Sequence, residues 1–144
     1  MKNLLIILAV FVLAACNSQK KYSEFDISYS KSGGFSPIYE NLLLNGKNVH
    51  YSFEGHGKNI KKDFKITDAE RKVIEDAITK NNFRTIQEDN KKLYDYIATS
   101  INVKYGSQSA SKSDGSYIMP QDQTRWDNVV KVFTDLIKAK NLNP

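Results

Sequence analysis

The sequence predicts an α+β domain, an antiparallel sheet of about five strands with two helices packed on one face. Two observations carry this prediction. Several short segments alternate apolar and polar residues, and two longer segments place apolar residues every three to four positions. The segments follow the order strand, strand, strand, helix, strand, strand, helix. Because strands and helices are grouped rather than regularly alternating, an antiparallel sheet with segregated helices is favoured.

The first half of the domain has the pattern of a meander. Its predicted strands are residues 25–29, 38–44 and 49–53. Asn45-Gly46 joins the second strand to the third and is a strong hairpin signal, because both residues tolerate the positive φ angles of a tight turn. Residues 55–62 are polar and contain glycine, so they are predicted to form a loop.

The first predicted helix begins at a capping box. Thr67 and Glu70 have the spacing at which the side chain of each residue bonds the backbone amide of the other. The apolar stripe that follows consists of Val73, Ile74, Ala77 and Ile78. Asn81-Asn82 is expected to end this helix, and the charged residues 88–92 are expected to form a loop.

The second half repeats these signals. Residues 97–105 alternate more regularly than any other segment, and a short strand is predicted at 117–119, after a turn at Asp114-Gly115 and before Pro120. The final helix places one apolar face towards the core, formed by Trp126, Val129, Val130, Phe133 and Ile137. The domain is therefore predicted to span residues 25–140.

The N-terminus differs in kind from the rest of the chain. Lys2 is followed by twelve residues, 4–15, without a polar side chain. This run is shorter than the roughly 20 residues of a spanning helix and has the size of a secretory signal. It ends in Leu-Ala-Ala before Cys16, which resembles the lipobox of bacterial lipoproteins. The resemblance implies cleavage of residues 1–15, acylation of Cys16 with chains such as palmitate, and a flexible tether over residues 16–24.

Cysteine content and charge fit the same interpretation. Cys16 is the only cysteine, so an intramolecular disulfide is excluded, and acylation would consume the lone thiol. The formal net charge of +5 becomes +4 when Lys2 is removed with the signal. Without a dense arginine cluster or an RNA-binding aromatic motif, nucleic acid is not an expected partner. Since Asn17 follows the cysteine, we expect a cell with two membranes to place the protein on the outer one, facing the periplasm.

One motif suggests a protein partner. Ser32-Gly33-Gly34-Phe35 follows the first strand and combines backbone freedom at two glycines with one aromatic side chain. The motif and the element order resemble the emfourin-type inhibitors of thermolysin-like zinc metalloproteases. The resemblance implies that Ser32, Gly33, Gly34 and Phe35 contact a protease. The alternative, which the residues by themselves favour, is a wide hairpin turn in which Phe35 folds into the core.

Other polar clusters give weaker signals. His50, Glu54 and His56 share one strand parity, but His50 and Glu54 would lie about 13 Å apart on a strand, too far for one metal ion. The basic segment 58–65 is expected to be solvated, with contact to anionic lipid head groups as the alternative. Glu88-Asp89 is expected to lie in a charged loop.

No catalytic framework surrounds the Ser, His and Asp residues of the chain, because a nucleophile elbow and a metal-binding helix motif are both missing from the sequence. We therefore expect no enzymatic activity, no cofactor and no metal. The predicted function is that of a non-catalytic binding module on an envelope membrane, in its most concrete form an inhibitor of a metalloprotease. The alternatives are a structural or assembly lipoprotein that docks another envelope protein and, third, a hydrolase.

Overall fold

The computed structural model describes residues 25–91 and 95–142. The predicted signal segment, Cys16 and the tether lie outside these residues. The described chain forms six strands and two α-helices. They are β1 (Ile27–Gly33), β2 (Ile38–Asn45), β3 (Asn48–Gly55), β4 (Lys58–Lys65), α1 (Asp68–Lys80), β5 (Ile97–Val103), β6 (Ala110–Ser113) and α2 (Gln123–Ala139).

All strands belong to one antiparallel sheet with the order β4-β3-β2-β1-β5-β6. The first four strands form a meander, and β5 pairs with the free side of β1. The α+β class and the antiparallel sheet are therefore confirmed, whereas the predicted number of about five strands is one too low.

The core takes side chains of one strand parity from the sheet and side chains from both helices. Tyr29 of β1 lies between Leu42 of β2 and Ile101 of β5 in register, and all three are fully buried. The ring of Phe133 in α2 stacks on Tyr29, with ring centroids 5.2 Å apart. Ile74 and Ile78 of α1 belong to the same buried cluster. The alternation and the helical stripes read from the sequence thus identify the residues that build the core.

The capping box of α1 is confirmed. The Thr67 hydroxyl accepts a hydrogen bond from the Glu70 amide at 3.1 Å, and the Glu70 carboxylate accepts one from the Thr67 amide at 2.8 Å. Glu70 also pairs with Lys140 at the end of α2, at 2.7 Å. The start of one helix is therefore tied to the end of the other.

Two predictions of secondary structure are wrong, one of a loop and one of a strand. Residues 58–65 form β4 and are not a loop; at this sheet edge only Ile60 and Phe64 are partly buried, so the apolar alternation that marks a strand is diluted by lysines. The short strand predicted at 117–119 is a single bridge between Glu88 and Ile118. The true sixth strand, Ala110–Ser113, has small and polar side chains, which give no alternation signal.

Candidate functional site

The predicted site residues lie at the turn between β1 and β2. Ser32 and Gly33 end β1, and Gly34 and Phe35 begin the four-residue turn 34–37. Phe35 is 93% exposed. The alternative in which Phe35 folds into the core is therefore wrong, and the motif presents its aromatic ring to solvent.

The two glycines of this turn are required by its geometry. Their φ angles are +109° at Gly33 and +89° at Gly34. A Cβ atom on Gly33 would lie 2.6 Å from the carbonyl oxygen of Tyr96, and one on Gly34 would lie 2.9 Å from the side chain of Ile97. Because side chains do not fit at these distances, the glycines allow the turn to pack closely against the start of β5.

Further apolar side chains are exposed at the same end of the sheet. Ile97 pairs in register with Gly33 and Tyr39 pairs with Ser32. The Tyr117 amide donates to the carbonyl of Asp114, whose own amide donates to the carbonyl of Thr99 near the start of β5. Of six large apolar side chains exposed in the described part of the chain, five lie here, and the sixth, Val73, lies on α1. We call these five the aromatic tip: Phe35 (93% exposed), Tyr39 (52%), Tyr96 (44%), Ile97 (41%) and Tyr117 (52%).

Asp114 holds the loop that carries Tyr117. Its carboxylate accepts hydrogen bonds from the Thr99 amide at 2.6 Å and from the Trp126 indole at 3.3 Å, and its carbonyl accepts one from the Tyr117 amide at 3.1 Å. Burial raises the pKa of Tyr96, and the charge of Asp114 adds to this effect. The loop that carries Tyr117 is therefore tied to β5 and to α2, and Tyr96 lies just before β5.

Asp122 also stabilises the loop that carries Tyr117. It is 4% exposed, accepts a hydrogen bond from the Gln87 amide at 2.9 Å and pairs with Arg125. Gln87 in turn accepts from the Met119 amide at 2.9 Å, close to Tyr117. The hydrogen-bonded guanidinium of Arg125 lowers the pKa of Asp122; burial opposes this shift and the Gln87 amide adds to it.

This lowered pKa gives a prediction for acid stability. The unfolded carboxyl has a pKa of about 3.9, so the unfolded chain binds more protons in acid than the folded one. The stabilisation is present above about pH 4 and is lost as the pH falls through the lowered pKa of Asp122. We expect Asp122→Asn to flatten the pH dependence of the free energy of unfolding between about pH 5 and pH 2.

Urea titrations at a series of pH values measure this dependence. The matched control is Asp127→Asn, which removes an exposed carboxylate from α2, the helix that follows Asp122. If Asp122→Asn and the wild type lose stability in parallel as the solution is acidified, Asp122 is not the group responsible.

A second region lies at the opposite end of the sheet. A groove of about 540 Å³ contains His50 and Asp63, whose side chains are 2.6 Å apart. The sequence did not indicate this pair, because the two residues meet only through the register of β3 and β4. The groove is also lined by Phe25, Leu43, Leu44, Asn45, Asn48, Val49, Phe64 and Lys65.

The remaining sequence candidates are separated. Glu54 pairs in register with Tyr39 and Asn59, and His56 has a positive φ angle in the turn that follows β3. Among the described residues, no three side chains of the types that bind metals cluster together. Glu88 accepts a hydrogen bond from the Ser113 amide and Asp89 pairs with Lys91 at 2.7 Å, so both carboxylates support the loop.

No family model and no curated protein matches the chain. Within residues 25–91 and 95–142, no helix has the length and apolar character needed to cross a membrane. The chemistry of the tip is that of exposed apolar and tyrosine side chains.

Proposed function

We propose that the chain is an envelope lipoprotein, anchored through acylated Cys16, and that its domain is a non-catalytic module that binds a protein partner through the aromatic tip. In this proposal both helices cover one face of the sheet and leave the tip free. The observation that carries it is the gathering of five exposed large apolar side chains at one end of the sheet.

The exposure of such side chains to water is unfavourable unless a partner covers them. Single exposed apolar residues are common, but five of them at one end of the sheet, on both of its faces, favour a site of interaction. Tyrosine is enriched in protein interfaces because its ring buries a large area while its hydroxyl can still bond water or a partner. Three of the five tip residues are tyrosines, and Phe35 provides the most exposed apolar ring.

The tip also lies at the end of the sheet opposite the point where the chain enters the domain. The chain enters the domain at Phe25, next to the start of β1, and β1 runs from there to Gly33 at the tip. Seven residues of strand span about 23 Å. An anchor at Cys16 would thus join the domain at the end opposite the tip and leave the tip accessible to partners.

The Ser32–Phe35 resemblance suggests the first partner to test, a thermolysin-like metalloprotease. The turn would then place Phe35 and the adjacent backbone against the enzyme. An assembly lipoprotein would use the same surface to dock another envelope protein. The two versions differ in the identity of the captured partner and in whether proteolysis is inhibited.

The test compares two surface variants of the tagged, full-length protein isolated from membranes. Phe35→Ala/Tyr39→Ala removes two rings from the tip. The matched control, Val73→Ala, removes an apolar side chain that is 56% exposed on α1. If the two rings each contribute as interface anchors do, the tip variant should lose about 30-fold in affinity while the control keeps wild-type affinity.

Mass spectrometry of the co-purified proteins and a titration against purified thermolysin-like enzymes complete the experiment. Inhibition that the tip variant loses supports the protease version. Loss of a non-protease partner by the tip variant supports the assembly version. Equal recovery of every partner by the wild type and the tip variant would contradict the proposed role of the tip.

A further inference from the structure

Strand β4 is a long open edge of the sheet. It pairs with β3 over all eight residues, Lys58–Lys65, without a bulge, and among residues 25–91 and 95–142 no further strand follows it in the sheet order. Six of its eight residues are exposed. Since an edge strand carries backbone amides and carbonyls directed away from its neighbour, β4 offers a template for one more strand.

The edge is strongly basic. It contains four lysines, Lys58, Lys61, Lys62 and Lys65, and none of them has an ion pair with another residue in the described ranges. The one carboxylate of the strand, Asp63, is held by His50. By contrast, Lys47, Lys72 and Lys131 each pair with an aspartate elsewhere on the surface.

The positions of the lysines prevent this edge from pairing with a second copy of itself. When two β4 strands pair antiparallel near their centres, residues directly opposite each other lie on the same sheet face, so Lys61 would face Lys61 or Lys62 would face Lys62. Like charges directly opposite each other destabilise a strand pair, and lysines on edge strands are a known protection against aggregation. The same charges attract a strand of opposite charge.

We propose that β4 binds an extended acidic segment of a partner protein, which adds to the sheet as a seventh strand. The charge of the edge selects the acidic chain, and the open backbone groups provide the binding mode of β-strand addition. Lys58 and Lys62 share a sheet face with Ile60 and Phe64, and Lys61 and Lys65 lie on the other face. Lysines therefore flank both faces of an added strand, whose own side chains alternate in the same way.

The probe is a capped octapeptide, acetyl-EVTEEVTE-amide, whose glutamates face the four lysines when it is placed antiparallel to β4. Two further versions carry N-methyl groups on alternate amides, either the odd or the even set. Because alternate amides of a strand point to the same side, only one set faces β4. We expect one methylated peptide to lose binding and the other to bind about as well as the parent, measured by fluorescence anisotropy at low salt.

Two protein variants test the role of the charge. Lys61→Gln/Lys62→Gln should weaken binding of the parent peptide about 3- to 10-fold, as expected for two lost cross-strand charge pairs. Lys72→Gln/Lys138→Gln has the same net charge and should bind like the wild type. Backbone NMR shifts caused by the peptide should be confined to β4 and its neighbour β3.

Three results would overturn the inference. The first is equal binding, or equal loss of binding, by both methylated peptides, which would indicate charge attraction without strand pairing. The second is an equal effect of the two lysine variants. The third is binding to phosphatidylglycerol vesicles without any binding of the peptide, which would make β4 a lipid contact. None of these results bears on the aromatic tip, whose test uses other residues.

Discussion

Replacing Gly33 with Ala is expected to lower the free energy of unfolding by about 2–4 kcal/mol. Gly33 has a φ angle of +109°, a conformation that residues with a Cβ atom rarely adopt. The new methyl group would also lie 2.6 Å from the Tyr96 carbonyl oxygen, which belongs to the backbone and cannot rotate away. Backbone strain and steric overlap therefore both destabilise the variant, and relieving either of them requires β5 to move away from β1.

Chemical denaturation followed by circular dichroism measures this loss, and the melting temperature should fall by about 10 °C. Phe35→Ala, two residues further on, is the matched control: its ring is 93% exposed, so we expect a change within about 0.5 kcal/mol. A Gly33→Ala variant as stable as the wild type would show that the turn does not depend on the glycine.

Gly33 and Phe35 have different roles within one motif, the first in structure and the second in recognition. The glycines let the turn pack against β5, whereas Phe35 extends away from the fold and contributes little to it. Stability and partner binding should consequently respond to different substitutions. A variant of Phe35 that keeps its stability and loses a partner would establish a binding role.

Much of the fold could be predicted because its signals are local. Asn45-Gly46 encodes a hairpin, Thr67 and Glu70 encode a helix start, and alternation over residues 97–103 encodes a strand that is buried on one face. In each case the residues that carry the signal are close in sequence and take part in the structure directly. Tertiary contacts leave the structures that these local signals predict unchanged.

The two missed strands lack such a signal. On β4 the core-facing positions are Lys58, Ile60, Lys62 and Phe64, because an edge strand is only partly covered and tolerates lysine there. On β6 the residues are small or polar, and pairing with β5 rather than side-chain burial determines the strand. Edge position is a property of the whole sheet, so the local pattern could not reveal it.

The aromatic tip was predictable only in part. Its centre, Phe35, stands out beside two glycines, but Tyr39, Tyr96 and Tyr117 carry no local mark of exposure. Tyr39 even lies within a strand, and its exposure follows from its place at the start of β2. Sheet order and the hydrogen bonds of Asp114 bring these residues together, and neither can be read from one segment.

The proposed lipid anchor gives the largest expected change in location. Cys16→Ala removes the thiol that acylation requires, so incorporation of an alkyne-labelled palmitate should fall to background. The protein should move from the detergent-rich to the aqueous phase in a phase-separation assay, because two or three acyl chains hold a protein on a bilayer and the apolar run 4–15 is too short to replace them. The change in partition should be about tenfold or more.

Stability provides the control for this experiment. The first described strand begins at Ile27, and the core is formed by residues that follow it, so Cys16→Ala should leave the unfolding transition of the domain unchanged. Ser18→Ala, two residues after the cysteine, should keep both the label and the membrane association. Mass spectrometry of the wild type that finds an unmodified and uncleaved N-terminus would refute the anchor. The domain would then bind its partner through the aromatic tip without being held at the membrane itself. The binding test of the tip would still apply.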